Sequence, residues 1–130
     1  MRGIAEGFVG QVTVGHRLPL DFSVRSLRVV DFLLGELRTG GKDERALAPQ
    51  LFGLGAYVGE VLVRNAGATW VDLDESQQKY FRQWVGVRMV DGMTRSPLST
   101  VRNLFDDTDG SEESLEIYYL TLPGRARSVV

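Results

Sequence analysis

Residues 51–70, LFGLGAYVGEVLVRNAGATW, decide the fold of this chain. The stretch is apolar enough to be buried, yet it carries the charged residues Glu60 and Arg64. It forms most of a helix predicted over residues 46–66, which Gly67 ends because glycine readily adopts the left-handed conformation of a helix C-terminus. The uncharged run from residue 46 to residue 59 is shorter than the roughly 20 residues that a membrane span needs. We therefore expect a buried central helix and no membrane span.

At 3.6 residues per turn, this helix has three faces. One face is bulky and apolar, and a second carries small residues that include Gly55 and Gly59. The third face is the only polar one, and it carries Tyr57, Glu60 and Arg64. Each glycine costs roughly 1 kcal/mol of helix stability relative to alanine. Close packing of another element on the small face is the interpretation that we favour, and a small-molecule cleft beside Gly55 and Gly59 is the alternative.

Glu60 also has two interpretations, which correspond to the packing and cleft interpretations of the small face. It precedes Arg64 by one helical turn, in the better order for an ion pair, which favours a structural paired charge. A catalytic carboxylate would instead need a raised pKa and a functional partner. In the cleft alternative, Glu60 would be the acidic group of the site.

The remaining segments predict a single α+β domain over residues 1–122. Helical spacing of apolar residues indicates a weak first helix over 4–15, a second after Ser23 with Asp31 as a solvated charge near Arg28, and one that begins at Pro97. Residues 114–122 fit helical spacing better than strand alternation. The runs ATWVDLD and WVGVRMV predict an antiparallel strand pair. We thus expect about five helices packed around a small two-stranded antiparallel sheet, with helix 46–66 at the centre and a flexible basic tail over 123–130.

Composition excludes several classes of function. The chain has 43% hydrophobic and 25% charged residues, as soluble globular proteins do. A net charge of −2 gives no overall field to attract nucleic acid or an anionic membrane. The absence of cysteine excludes disulfides and thiolate metal sites. The first residues make a poor signal peptide, so we expect a cytoplasmic location.

Motifs for catalysis or cofactor binding are missing from the sequence. There is no G-x-S-x-G elbow, no Walker loop, and only one histidine, His16, which cannot form a zinc site alone. The acidic segment around Gly110 approaches an EF-hand spacing, but Phe105 falls at the first ligand position. We therefore predict no catalytic residue, no metal and no cofactor, which favours a non-enzymatic protein.

Two tryptophans and an arginine suggest a recognition surface. If the outward face of the strand pair is uncovered, Trp70, Trp84 and Arg88 would form a binding patch there. In the alternative interpretation, both tryptophans close the edges of the core.

The run GAYVGEVLVRNAGATWVDLD, followed by VGVRMVDG, PLSTVRNLFDD and ESLEIYYLTL, resembles a group of small actinobacterial domains of unknown function. The shared features are a glycine-rich G-E-V helix, a Gly-x-x-Trp strand entry, an Asp-Gly strand end and a helix that begins with proline. The resemblance covers roughly residues 20–122. It implies this order of elements and a bacterial cytoplasmic setting, and it carries no activity or catalytic residue onto this chain.

These observations favour an interaction or accessory domain, such as a bacterial partner-binding, immunity-type or regulatory protein. Its partner would be another protein or a second copy of the chain. The candidate binding residues are Tyr57, Glu60, Arg64, Trp70, Trp84 and Arg88. The alternative is a small-ligand-binding protein or enzyme with a pocket beside Gly55 and Gly59.

Overall fold

A computed structural model describes residues 2–7, 9, 20–40, 45–106 and 114–121. These residues form six helices and three strands, so the α+β class is confirmed. In chain order the elements are α1 (residues 2–7), α2 (Leu27–Thr39), α3 (Ala48–Ala66), β1 (Thr69–Asp72), α4 (Glu75–Phe81), β2 (Val85–Arg88), β3 (Thr94–Arg95), α5 (Pro97–Asp106) and α6 (Leu115–Thr121). The expected tail over 123–130 lies outside the described residues.

Helix α3 confirms the predicted long helix and lies at the centre of the core. Pro49 sits in its first turn, where its missing N–H leaves no hydrogen bond unmade. Gly67 ends it with a φ of 74°, which only glycine adopts at little cost. The helix packs against α5, β1 and β2, and most of its residues are buried. Despite that burial, none of the described helices has the length and hydropathy needed to cross a membrane.

The sheet has three antiparallel strands in the order β1-β2-β3, so the prediction of two strands was wrong. After the turn at Gly92, which has a φ of 86°, Thr94 and Arg95 pair back onto Arg88 and Val87. A strand of two residues is too short to show the alternation by which strands are recognised in a sequence.

Helix α4 connects β1 to β2, and no helix was predicted for these residues. A capping box begins it: the Gln77 backbone N–H donates to Asp74 at 2.8 Å, and the Asp74 N–H donates to the Gln77 side chain at 3.0 Å. The helix ends at Arg82, which adopts a φ of 57°.

Helices α2 and α6 are joined by a cap that crosses between them. The Leu115 N–H donates to Asp31 at 2.8 Å, so Asp31 satisfies the first turn of α6 and is not a solvated charge. Arg28 lies 2.8 Å from Glu116 of α6 and leaves Asp31 to this cap. Burial raises the pKa of Asp31, although the hydrogen bonds from Leu115 and Glu116 oppose that shift. The helical interpretation of residues 115–121 is confirmed.

Candidate functional site

The polar face of α3 converges on Glu60, whose side chain is fully buried. One carboxylate oxygen accepts from Arg64 Nε at 2.9 Å and from Arg2 Nε at 3.3 Å. The other accepts from the Trp70 indole N–H at 3.1 Å. Both oxygens are thus hydrogen bonded to donors from three elements, α1, α3 and β1. We call Glu60, Arg64, Arg2 and Trp70 the Glu60 network.

The network holds Glu60 in its ionised form. Burial alone would raise its pKa, but hydrogen bonds from Arg64 and Trp70, together with the charges of Arg64 and Arg2, lower the pKa below its usual value. A carboxylate of this kind stays ionised at neutral pH and accepts hydrogen bonds without delivering a proton. Its chemistry suits the holding of donors and not general acid catalysis, which requires a raised pKa.

Arg64 links the buried carboxylate to the surface. Its Nη2 lies 3.3 Å from Glu6 of α1, and its guanidinium carbon lies 3.8 Å above the centroid of the Phe22 ring. The second contact has cation–π geometry. Because its side chain is 37% exposed, Arg64 is the outermost predicted site residue on α3.

Tyr57 is fully buried and anchors the segment that leads into α2. Its hydroxyl accepts from the Phe22 N–H at 2.9 Å and lies 2.6 Å from Ser26 Oγ. The Ser26 hydroxyl proton is directed to the Ser23 carbonyl at 2.6 Å, so Tyr57 is the donor to Ser26. Burial raises the pKa of Tyr57, which keeps this phenol protonated at neutral pH.

Phe22 completes this arrangement in a strained backbone conformation. Its φ of 62° is unusual for a bulky residue and requires support from its surroundings. Its ring stacks on Tyr57 with centroids 4.8 Å apart, and its carbonyl accepts from Asn65 at 2.8 Å. These contacts fix the N-terminal approach to α2 against the polar face of α3.

The small face of α3 is filled by neighbouring side chains. A Cβ added at Gly55 would lie 2.8 Å from Leu98 Cα, and one added at Gly59 would lie 2.0 Å from the Trp70 ring. The packing interpretation of both glycines is therefore confirmed. Leu98 and Trp70 occupy the space beside the two glycines where the alternative interpretation places a pocket.

The structure separates the tryptophans that were expected to share one face. Trp70 pairs with Val87, which is completely buried, so Trp70 faces the core and covers Gly59. Trp84 and Arg88 alternate with Val87 along the chain and lie on the opposite face. Trp84 is 77% exposed. The expected patch is therefore reduced to Trp84 and Arg88.

The six predicted binding residues thus divide into two groups. Tyr57, Glu60 and Trp70 lie inside the molecule or against its core with Arg64 at their outer edge, whereas Trp84 and Arg88 are exposed. Their role in binding stays a prediction. The same cluster includes Phe22, Arg2 and Glu6, which were not predicted as site residues. No local sequence pattern indicates contacts with α3 residues that lie this far away along the chain.

Metal ligation finds no support in the described part of the chain. No group of three or more histidine, aspartate or glutamate residues lies close enough together there to hold an ion. His16 and the acidic segment 107–113 lie outside the described residues.

Comparisons of the chain with protein-family models, with curated proteins and with solved structures found no match. Its membership of the actinobacterial group stays a prediction.

Proposed function

We propose that this chain is a non-enzymatic interaction domain that binds a protein partner through an aromatic patch around Trp84. The supporting observation is the exposure of large apolar side chains between residues 80 and 93. Exposed fractions there are 82% for Tyr80, 77% for Trp84, 62% for Val90 and 54% for Met93. Surface tryptophan and tyrosine side chains with neighbouring apolar residues are typical of protein-binding sites.

The Glu60 network supports this role as a scaffold. It ties α1, α3 and β1 together by charge-assisted hydrogen bonds to one buried carboxylate. Strand β1 pairs along its length with β2, whose entry carries Trp84. Trp84 directly precedes this strand, and its carbonyl accepts from the Leu73 N–H at 2.9 Å, which holds its backbone in place. A preformed patch of this kind loses less conformational entropy on binding than a mobile one.

The test compares Trp84→Ala and Tyr80→Ala with a matched control, Phe32→Ala, which removes an exposed aromatic ring from α2. Each tagged protein is used to capture partners from the lysate of its native host, and each captured partner is then purified and titrated against all variants. We expect Trp84→Ala to weaken the binding of a specific partner by about 2 kcal/mol, or roughly thirtyfold in Kd. Phe32→Ala should leave this affinity unchanged.

Light scattering after size exclusion measures self-association in the same set of proteins. A dimer that Trp84→Ala dissociates would identify the partner as a second copy of the chain. The proposal fails if the wild-type protein is a strict monomer and no purified partner distinguishes Trp84→Ala from Phe32→Ala.

A further inference from the structure

A second site lies in a cleft between the end of α4, strand β3, and helices α5 and α6. Its volume is about 650 Å³, within the range of roughly 300–1,000 Å³ that small-molecule sites occupy. We call it the Arg95 cleft. The lining residues used below are Arg82, Arg95, Ser99, Thr100, Asn103 and Tyr118.

The lining of the Arg95 cleft is cationic. Of the eleven described residues that line it, two are arginines and none is acidic. Tyr118 adds no negative charge, because burial raises the pKa of its phenol despite the opposing effects of Thr100 and Arg95. The charged side chains in this lining are therefore all positive, so they favour an anionic ligand.

Within the part of the chain that the structure describes, Arg95 has no acceptor of the kind that Arg64 and Arg38 have. Arg64 bonds to Glu60, and Arg38 donates to the Leu104 carbonyl. Arg95 is half-buried, its Nε is shielded from water, and its side chain makes no hydrogen bond or ion pair with any residue that the structure describes. An N–H withdrawn from water without an acceptor is unfavourable, and an anion bound beside the guanidinium would offset that cost through its charge.

Two further residues with side-chain donors, Arg82 and Asn103, line the same cleft. Among the described residues, the side chains of Arg82 and Asn103 make no hydrogen bond or ion pair. Two hydroxyl groups of the wall are already committed: Ser99 donates to the Phe81 carbonyl at 2.6 Å, and Thr100 donates to the Ser96 carbonyl at 3.1 Å. The wall is therefore fixed internally, while the guanidinium and amide donors remain available to a ligand.

We propose that the Arg95 cleft binds a small organic molecule through an oxyanion, a phosphate or a carboxylate, held by Arg95, Arg82 and Asn103. Guanidinium groups match both oxyanions with paired N–H donors. The cleft is larger than a bare phosphate needs, and the exposed Tyr80 and Met93 side chains at its edge would contact the organic part. The cleft shares Tyr80 and Met93 with the patch around Trp84, but Trp84 itself does not line it, so variants of Trp84 and of Arg95 test the two sites separately.

The test is a thermal-unfolding titration at constant ionic strength, maintained with NaCl, using inorganic phosphate, acetate and phenyl phosphate as probes. We expect a saturable rise in Tm with phosphate or acetate, and tighter binding of phenyl phosphate than of phosphate. Of phosphate and acetate, the probe whose titration saturates at the lower concentration identifies the preferred oxyanion. If neither phosphate nor acetate raises the Tm of the wild type beyond the NaCl control, the proposal is overturned.

Variants assign the effect to the cleft. Arg95→Met should weaken the preferred probe at least about tenfold, because charge-assisted hydrogen bonds are lost. The control Arg88→Met removes the same charge from an exposed position outside the cleft and should keep the wild-type affinity. Without ligand, Arg95→Met should be at least as stable as the wild type, because it removes an unpaired charge. Equal affinity in Arg95→Met and the wild type would refute the assignment, whatever the outcome of the Trp84 experiment.

Discussion

Gly59→Ala tests the close packing of Trp70 on α3. The new methyl group would lie 2.0 Å from one ring carbon of Trp70 and within 3 Å of two more, so the rigid indole must move. Overpacking of this kind costs about 1–3 kcal/mol. Displacement of the indole also breaks its hydrogen bond to ionised Glu60, worth about 1.5–3 kcal/mol. Alanine returns about 1 kcal/mol of helix propensity. The expected net loss is about 3 kcal/mol.

Urea denaturation followed by far-UV circular dichroism measures this loss, with Gly35→Ala as the matched control. Gly35 lies inside α2, and a Cβ there meets no atom within 4 Å. That variant should gain up to about 1 kcal/mol from propensity alone. In a Trp70→Ala background, Gly59→Ala should no longer destabilise the protein, because the clashing ring is absent. The reasoning is refuted if Gly59→Ala is as stable as the wild type, or if its cost is the same without the Trp70 ring.

Three further predictions concern the polar contacts, each measured by urea denaturation. The pKa of Glu60 is lower in the folded protein than its ordinary value of 4.5. Its contribution to the free energy of unfolding is therefore fully present above pH 4.5 and is lost as the pH falls through the folded-state pKa. The stability difference between wild type and Glu60→Gln should therefore shrink on acidification, and a constant difference would contradict this. Tyr57→Phe should cost about 1–3 kcal/mol, since buried Ser26 loses its donor; no loss would show that the contact is dispensable. Asp31→Ala should cost about 1 kcal/mol by uncapping Leu115, and an unchanged midpoint would argue against the cap.

The central helix was predictable because its signals are local. Pro49 and Gly67 mark its ends, and the helical period places Tyr57, Glu60 and Arg64 on one line. Burial of that line was not predictable. Periodicity indicates which residues share a face of the helix. It does not indicate that Phe22, which lies far away in the sequence, packs over Tyr57 on that face.

The position of Trp70 shows a similar limit. Alternation correctly separates it from Val71, but the face that points inward depends on pairing with β2, and a shift of one residue would reverse it. Helix α4 is a different case, since the Asp74 and Gln77 capping box is a local signal that the sequence already contained. That Arg95 finds no acceptor among the described residues has no sequence signature, because it depends on which acceptors the fold brings near.

The most direct test of the Glu60 network is a pH titration of the Glu60 side-chain carboxyl carbon by NMR. Our account states that this buried carboxylate is ionised at neutral pH and acts as a structural acceptor for Arg64, Arg2 and Trp70. It predicts a pKa below the ordinary value of 4.5. A pKa above 4.5 would contradict the account, since it would mean that burial prevails over the three donors and leaves a carboxyl group suited to proton transfer.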